Sequence, residues 1–285
     1  MSAVRRLGVA LAGGHRTRPL CPCCPGLALD MGSSRTRAWF SGRGLVLDAP
    51  TITFADARIV HPIQRGVIVD VPGTARMLDR LLGHHMPRRA RPLIVITTPV
   101  LHGPAYREQA RTVVQVLRPR AVLTVPTARA VALAADADLT RPLLVVDIGA
   151  HLSEVVLLVD GAVVDARSTA LGTGDLVGVD ASEELSEAII AMVTSMLRQD
   201  RTALTATALK RGALLAGGGT LRPDLAPRLV AALQAPLTAV RAPHTAALRG
   251  AAGLLTDLFV SSAGVVGGWS GRCGRGRTMA VVGCG

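Results

Sequence analysis

Aromatic residues are nearly missing from this chain: two Trp, one Tyr and three Phe among 285 residues. A core without large rings has to be built from Val, Leu, Ile and Ala. Cysteines do not serve that core either. All five (Cys21, Cys23, Cys24, Cys273 and Cys284) lie in the two terminal segments, which excludes a disulfide framework for the body of the protein. The cluster Cys21-Pro22-Cys23-Cys24 lacks the two-residue gap of a zinc knuckle and has no second half-site nearby. Long apolar runs are missing as well. Leu143–Val146 and Val155–Val159 are of strand length, far short of the ~20 residues that cross a bilayer. The apolar stretch Leu7–Ala12 after Arg5 and Arg6 is too short for a signal peptide, so the body of the chain reads as cytoplasmic. There is no G-x-x-x-x-G-K-[ST] loop and no dinucleotide fingerprint.

Acids are absent from both ends. Residues 1–25 carry Arg5, Arg6, Arg16 and Arg18, and residues 261–285 carry Arg272, Arg275 and Arg277, with no Asp or Glu in either. Seven of the net +12 charges therefore sit at the ends, leaving five for residues 26–260. Residues 1–26 read as a disordered basic tail and 259–285 as a disordered Gly/Arg-rich one. Such ends favour non-specific contact with anionic surfaces, which would give a cytoplasmic protein a peripheral membrane contact, and they imply no specific nucleic-acid partner. What is present excludes wholesale disorder: 49% hydrophobic residues against 18% charged. The length suffices for one large domain or two ordinary ones.

Between the tails, strand-like and helix-like pieces alternate. Leu27–Asp30, Thr36–Phe40 and Gly44–Leu47 read as short strands joined by tight turns, followed by the buried strand Leu93–Thr97. Ala105–Leu117 has helical spacing, Ala121–Val125 is a strand, and Thr127–Ala135 is a helix of small residues. A second set follows. Leu143–Asp147, Val155–Asp160 and Ala162–Ala166 are strands, and Ser182 is the expected N-cap of a helix running to about Leu197. Leu214–Ala216 is a strand that meets Gly217-Gly218-Gly219, and Pro223–Leu233 and Pro243–Leu258 are helices.

The two sets are copies. Leu27-Ala28-Leu29-Asp30-Met31-Gly32 aligns with Leu144-Val145-Val146-Asp147-Ile148-Gly149, and Asp30/Asp147, Gly32/Gly149 and Thr36/Ser153 all share an offset of 117. Two matched strand–D-x-G–turn–strand units argue for a duplicated α/β architecture. A strand that ends in a glycine turn points several backbone N–H groups into one space, where they cradle phosphate oxygens. The hydroxyls of Ser33, Ser34 and Thr36 would add to that cradle. A carboxylate at the strand end, Asp30 in one copy and Asp147 in the other, repels bare phosphate but reaches it through Mg²⁺ or its water shell. Two such hairpins would clamp a triphosphate, and Gly217-Gly218-Gly219 would let the backbone approach a third part of the ligand.

In this order, Asp30–Thr36, Asp147–Glu154 and Leu215–Leu221 resemble the first phosphate, second phosphate and adenosine motifs of the actin-like ATPase superfamily, and within it the bacterial shape-determining MreB proteins. Pro62–Asp70 is similar to that family's P-[LI]-x-x-G-V-I-x-D segment, and Gln234–Leu254 to its final strand and helix. The resemblance covers roughly residues 27–258. It implies two ribonuclease-H-like halves, 27–140 and 141–258, with ATP and Mg²⁺ between them. Asp30, Gly32, Ser33, Ser34 and Thr36 would serve the first phosphate hairpin, and Asp147 and Gly149 the second. Gly217, Gly218 and Gly219 would approach adenosine and the α-phosphate, and Asp30 and Asp147 would hold the metal.

The sequence departs from the family at three places. Ala150, His151 and Leu152 replace the glycines and threonines of the second phosphate loop. Val125 stands before Pro126, where the family has its catalytic acid. Only about 15 residues join the strand near Ala166 to the helix near Ser182, so the second half lacks its inserted subdomain; that of the first half shrinks to about Asp48–His61. The resemblance implies an ATP-binding cytoskeletal protein of cell shape or cell-wall organisation, self-associating and contacting cell-shape or division proteins. The departures open the alternative of a non-enzymatic scaffold with the same fold. A sugar or acetate kinase of the superfamily is disfavoured by the chain's small size.

Overall fold

The computed structural model describes residues 25–264 apart from 56, 57, 89, 102 and 177–180. The five cysteines and most of both expected tails lie outside these residues. The described margins are ordered elements: Gly26 opens the first strand, and the last helix runs through Gly264.

Fourteen strands and seven helices follow in chain order among the described residues. The first half contains β1 (Gly26–Met31), β2 (Arg35–Phe40), β3 (Gly44–Pro50), β4 (Thr53–Ala55), β5 (Arg58–Val60), β6 (Ile63–Gln64), β7 (Val67–Ile68), α1 (Val71–Leu82), β8 (Leu93–Thr98), α2 (Gly103–Val113), β9 (Ala121–Pro126) and α3 (Thr127–Ala134). The second contains β10 (Leu143–Ile148), β11 (Ser153–Val159), β12 (Ala162–Thr169), α4 (Ala181–Gln199), α5 (Leu204–Arg211), β13 (Ala213–Ala216), α6 (Leu225–Leu233), β14 (Leu237–Ala239) and α7 (Ala246–Gly264).

Two five-stranded sheets have the same plan. Their orders are β3-β2-β1-β8-β9 and β12-β11-β10-β13-β14. In each, three antiparallel strands lead into two parallel ones. This is the duplicated ribonuclease-H-like architecture of the actin-like ATPases with reduced subdomains. β1 and β10 are the central strands, and their runs Leu27–Leu29 and Leu143–Val146 are buried throughout, as strands covered on both faces must be.

Helices α1 and α2 cover the outer face of the first sheet, where Leu29, Ile94 and Ile96 pack with Leu78, Leu82 and Val113. Helices α4, α5 and α6 cover the outer face of the second, around Val146, Leu157, Ile189 and Val193. The layer between the sheets is crossed. α3 leaves the first sheet and packs Ala128, Val131 and Ala132 against Val145 and Val156 of the second. α7 leaves the second sheet and packs Leu248, Ala251 and Leu255 against Ala28, Leu93 and Val95 of the first. A Cβ on Gly250 would lie 1.8 Å from the carbonyl oxygen of Ala130, so the two helices meet backbone to backbone.

The subdomain of the first half is reduced to the hairpins β4–β5 and β6–β7. On the second half the chain passes from Thr169 to Ala181 with no inserted domain. Helix α4 begins at Ala181, so Ser182 is inside its first turn and not its cap; its hydroxyl accepts from Arg222 at 3.0 Å. Helix α1 starts as its sequence dictates: Pro72 sits in the first turn, and the Asp70 carboxylate accepts from Gly73 N–H at 2.8 Å. No described helix is long and apolar enough to cross a membrane.

Candidate functional site

The carboxyl ends of β1 and β10 open into one cleft of about 290 Å³. Asp30, Gly32, Ser33, Ser34, Asp147, Gly149, Gly217 and Gly218 line it. The two hairpins are built alike. Gly32 N–H donates to Arg35 O at 3.0 Å, and Gly149 N–H donates to Leu152 O at 2.9 Å, the same bond 117 residues on. Neither turn accommodates a side chain at its glycine without a shift: a Cβ would approach those carbonyl oxygens to 3.1 and 2.6 Å. The amides of Ser33 and Ser34 donate to nothing among the described residues, which is the arrangement that suits an anion.

Thr36 and Gly219 stand behind the cleft. Thr36 is fully buried, its hydroxyl 2.9 Å from that of Thr51, which donates to Gly32 O at 2.7 Å and clasps the first hairpin. Gly219 packs under Ile148, where a Cβ would come within 2.2 Å of a methyl carbon. Gly217 adopts φ +83° directly over the end of β10, and Gly218 faces open space.

The acids sit in unlike surroundings. Asp30 accepts from the Thr97 hydroxyl at 2.7 Å. Burial pushes its carboxyl up, opposed by that hydrogen bond and by Arg37. Asp147 accepts from no described residue. Burial, then Glu154, then Asp30 push it up to about 7. Glu154, directly across from Asp147 in the β10–β11 ladder, also lines the cleft. Its Oε1 accepts from Val100 N–H at 2.9 Å; burial raises its carboxyl, partly offset by the Val100 and Leu101 amides. Of the three acids only Asp147 lacks a described proton donor, and no group of three or more His, Cys, Asp or Glu that could hold a metal ion by itself is found among the described residues. Carboxylate oxygens are the ligand type Mg²⁺ takes, one or two from the protein with the rest from phosphate and water, and Asp30 and Asp147 fit it in that way.

The second phosphate loop is closed over by its own neighbours. Thr173 N–H and Gly174 N–H donate to the carbonyls of Gly149 and Ala150 at 3.0 and 2.6 Å. His151 turns out of the cleft, its Nδ1 3.2 Å from Asp175 Oδ1. Arg65, at the tip of the β6–β7 hairpin, reaches the same carboxylate at 3.3 Å and Ala170 O at 3.0 Å, tying the halves across the cleft mouth. Val125 is buried in the layer against α7, with Ala28 and Val95. Asp138 is held by Thr140 and Arg211, away from the cleft. Lys210 is exposed on α5.

Arg37, Glu154 and His244 are among the cleft residues that the sequence did not single out as site residues. Two had a usable signal, because Arg37 and Glu154 are related by the same offset of 117. His244 precedes α7, with its Nδ1 buried and unpartnered among the described residues.

Comparison with known proteins agrees with this architecture. The family model described as MreB/Mbl protein matches residues 52–181. No curated protein matches. Among solved structures, MreB5 of Spiroplasma citri bound to AMPPNP superposes with a TM-score of 0.73 at 16% identity, covering 86% of this chain and 99% of that one. The MamK double helical filament gives 0.69 at 18%, covering 81% and 98%. The ethanolamine utilization protein EutJ from Carboxydothermus hydrogenoformans gives 0.58 at 14%, covering 85% and 92%.

Proposed function

We propose that this chain, which has the fold of the actin-like ATPases and is related at low identity to MreB and MamK, binds ATP with Mg²⁺ between its halves and serves as an MreB-like cytoskeletal protein in bacterial cell shape or cell-wall organisation. The observation that carries the reading is the pair of identically bonded D-x-G hairpins lining one cleft with Gly217 and Gly218. Asp30 and Asp147 would hold the cation, directly or through its water shell, and the free amides of Ser33 and Ser34 would take phosphate oxygens. When bound, Mg²⁺ neutralises the charge of the phosphates. That MreB5 was crystallised with AMPPNP and with ADP supports the ligand class. The MamK filament supports self-association as the mode of assembly. The partners would be further copies of the chain and cell-shape or division proteins, with peripheral membrane contact through the basic ends.

Titration calorimetry tests this, with ATP and Mg²⁺ on wild type and on Asp30→Ala. Micromolar binding by wild type alone is the expected result, and sedimentation with ATP should then pellet the protein. A wild type that gives no heat and stays monomeric overturns the reading.

One observation favours a second reading, a scaffold of this fold that binds nucleotide without turning it over. Val125 pairs with Thr97 in the parallel ladder and so shares its sheet face, but it is apolar and buried. No carboxylate stands there to orient a water. Phosphate release at background level would support the scaffold, and steady turnover would end it.

A further inference from the structure

Among the described residues, no helix closes over the β2–β3 end of the first sheet's inner face. Helix α7 lies along β1 and β8 and meets α3 on one flank. On its other flank a groove of about 390 Å³ runs between α7 and the β2–β3 pair. Trp39 and Leu45, partners across that ladder, form one wall, and Leu248, Ala252, Gly253 and Thr256 form the other. Leu45 is 55% exposed, so this wall leaves apolar surface open to water.

The hydroxyls of the lining are already used. Thr256 Oγ1 donates to Ala252 O at 3.2 Å, and Thr245 Oγ1 donates to Ala242 O at 3.1 Å. Arg249, also in the lining, donates from Nη2 to Arg241 O, while its Nε is buried with no acceptor among the described residues. An occupant with an apolar side chain and a backbone carbonyl suits both features, which is the description of a peptide segment. Gly253 marks where its side chain would lie. A glycine inside a helix costs stability relative to alanine. Gly250 is required by the nearby Ala130 carbonyl, but a Cβ on Gly253 would meet nothing within 4 Å. Its missing side chain leaves the groove floor open to a large group.

The sequence carries such a group on the same helix. Past Gly264 it continues as Val265-Val266-Gly267-Gly268-Trp269-Ser270-Gly271, a stretch without charge that lies outside the described residues. Trp269 and Trp39 are the two tryptophans of the chain. Gly264 lies eleven residues beyond Gly253, about 16 Å at the helical rise. The five residues from Gly264 to Trp269 span about 17 Å when extended, and glycines at 264, 267 and 268 allow the chain to double back. A reversal at the end of α7 therefore brings Trp269 level with Gly253.

We propose that the groove beside α7 is a docking site for the protein's own C-terminal segment, with the Trp269 indole seated between Trp39 and Gly253. The segment completes the inner layer of the first half and is tied to the helix that joins the two sheets. Burial of the indole supplies the attraction, and the short tether supplies a high effective concentration.

Tryptophan fluorescence of the full chain tests this, because both partners in the contact are emitters. In Trp39→Phe only Trp269 emits. Its emission should be blue-shifted from that of the denatured chain, and acrylamide should quench it several-fold more slowly. Adding Gly253→Leu fills the groove and should return both values toward those of the denatured chain. In Trp269→Ser and Trp269→Phe only Trp39 emits. It should be quenched several-fold faster in the serine variant, which leaves the groove empty, and that variant should melt about 2–4 °C earlier than wild type. A solvent-exposed Trp269 overturns the assignment, and so does shielding that survives Gly253→Leu. Equal shielding of Trp39 in the serine and phenylalanine variants would give the groove to another occupant, such as residues 1–24, and overturn it as well. Shielding that fades on dilution would place the segment on a second copy and refute docking within one chain.

Discussion

Replacing Asp147 by Asn should make this protein more stable and cost it its cation. In the folded chain the Asp147 carboxyl is pushed from its ordinary 3.8 up to about 7, by burial first and then by Glu154 and Asp30. A group with a raised folded pKa keeps a proton that the unfolded chain has released. Stability is then highest below about pH 4, falls as pH rises toward 7, and is flat beyond. A rise of about three pH units at about 1.4 kcal/mol each caps the cost near 4 kcal/mol. The carboxylate faces an open cleft and shares its titration with two acids, so about 2 kcal/mol is the working figure. For a chain of this size that is a melting shift of about 4–8 °C. Thermal melts of wild type and Asp147→Asn at pH 5, 6.5 and 8 measure it. The variant should melt higher at pH 8, and the gap should close toward pH 5. Mg²⁺ at pH 8 should raise the melting of wild type and leave the variant unmoved. A gap constant across pH, or a variant less stable at pH 8, refutes the argument that an unpaired buried charge sits at the end of β10.

Other expectations follow from single contacts. Gly250→Ala drives a methyl to 1.8 Å from Ala130 O, so it should lower stability by about 3 kcal/mol and melt several degrees early in a thermal scan. Tyr106→Phe removes the donor that reaches Met31 O at 3.0 Å in the buried layer; chemical denaturation should show a loss of about 1–2 kcal/mol. Arg65→Ala cuts an ion pair that is 56% exposed on the arginine side, so stability should change by less than about 1 kcal/mol, while amide exchange in residues 170–176 should quicken.

The parts of this fold that could be read from residues are those fixed by local pattern. The repeat at offset 117 located both hairpins, because a D-x-G turn between two apolar runs dictates its own geometry within a few residues. Strand ends came within a residue or two for β8 and β9, where Pro92 and Pro126 mark the boundaries. Helix α1 went unread despite Asp70 and Pro72, since its signal was absorbed into the segment Pro62–Asp70. Helix α5 follows Ala203 in a left-handed conformation, which no capping pattern announces. Among cleft residues, Glu154 looked like an ordinary strand residue. Its position is decided by Val100 N–H from the other half, a contact 54 residues away that no local spacing encodes. The sequence shows His151 only as a departure in the second phosphate loop; its contact with Asp175, 24 residues on, is set by the tertiary fold.

The exchange of α3 and α7 between the sheets makes the two repeats inseparable partners. Cut at 140/141, the front fragment would keep a helix that belongs on its neighbour's sheet and lose the one that roofs its own. Leu93 and Val95 would stand in water, as would Val145 and Val156 on the other piece. Neither fragment is a miniature of the whole, although each carries a complete copy of the ancestral strand plan. Expressed separately the pieces should be insoluble, and expressed together they should find each other. The repeat that the sequence displays is therefore a repeat of strand plan and not of independent folding units.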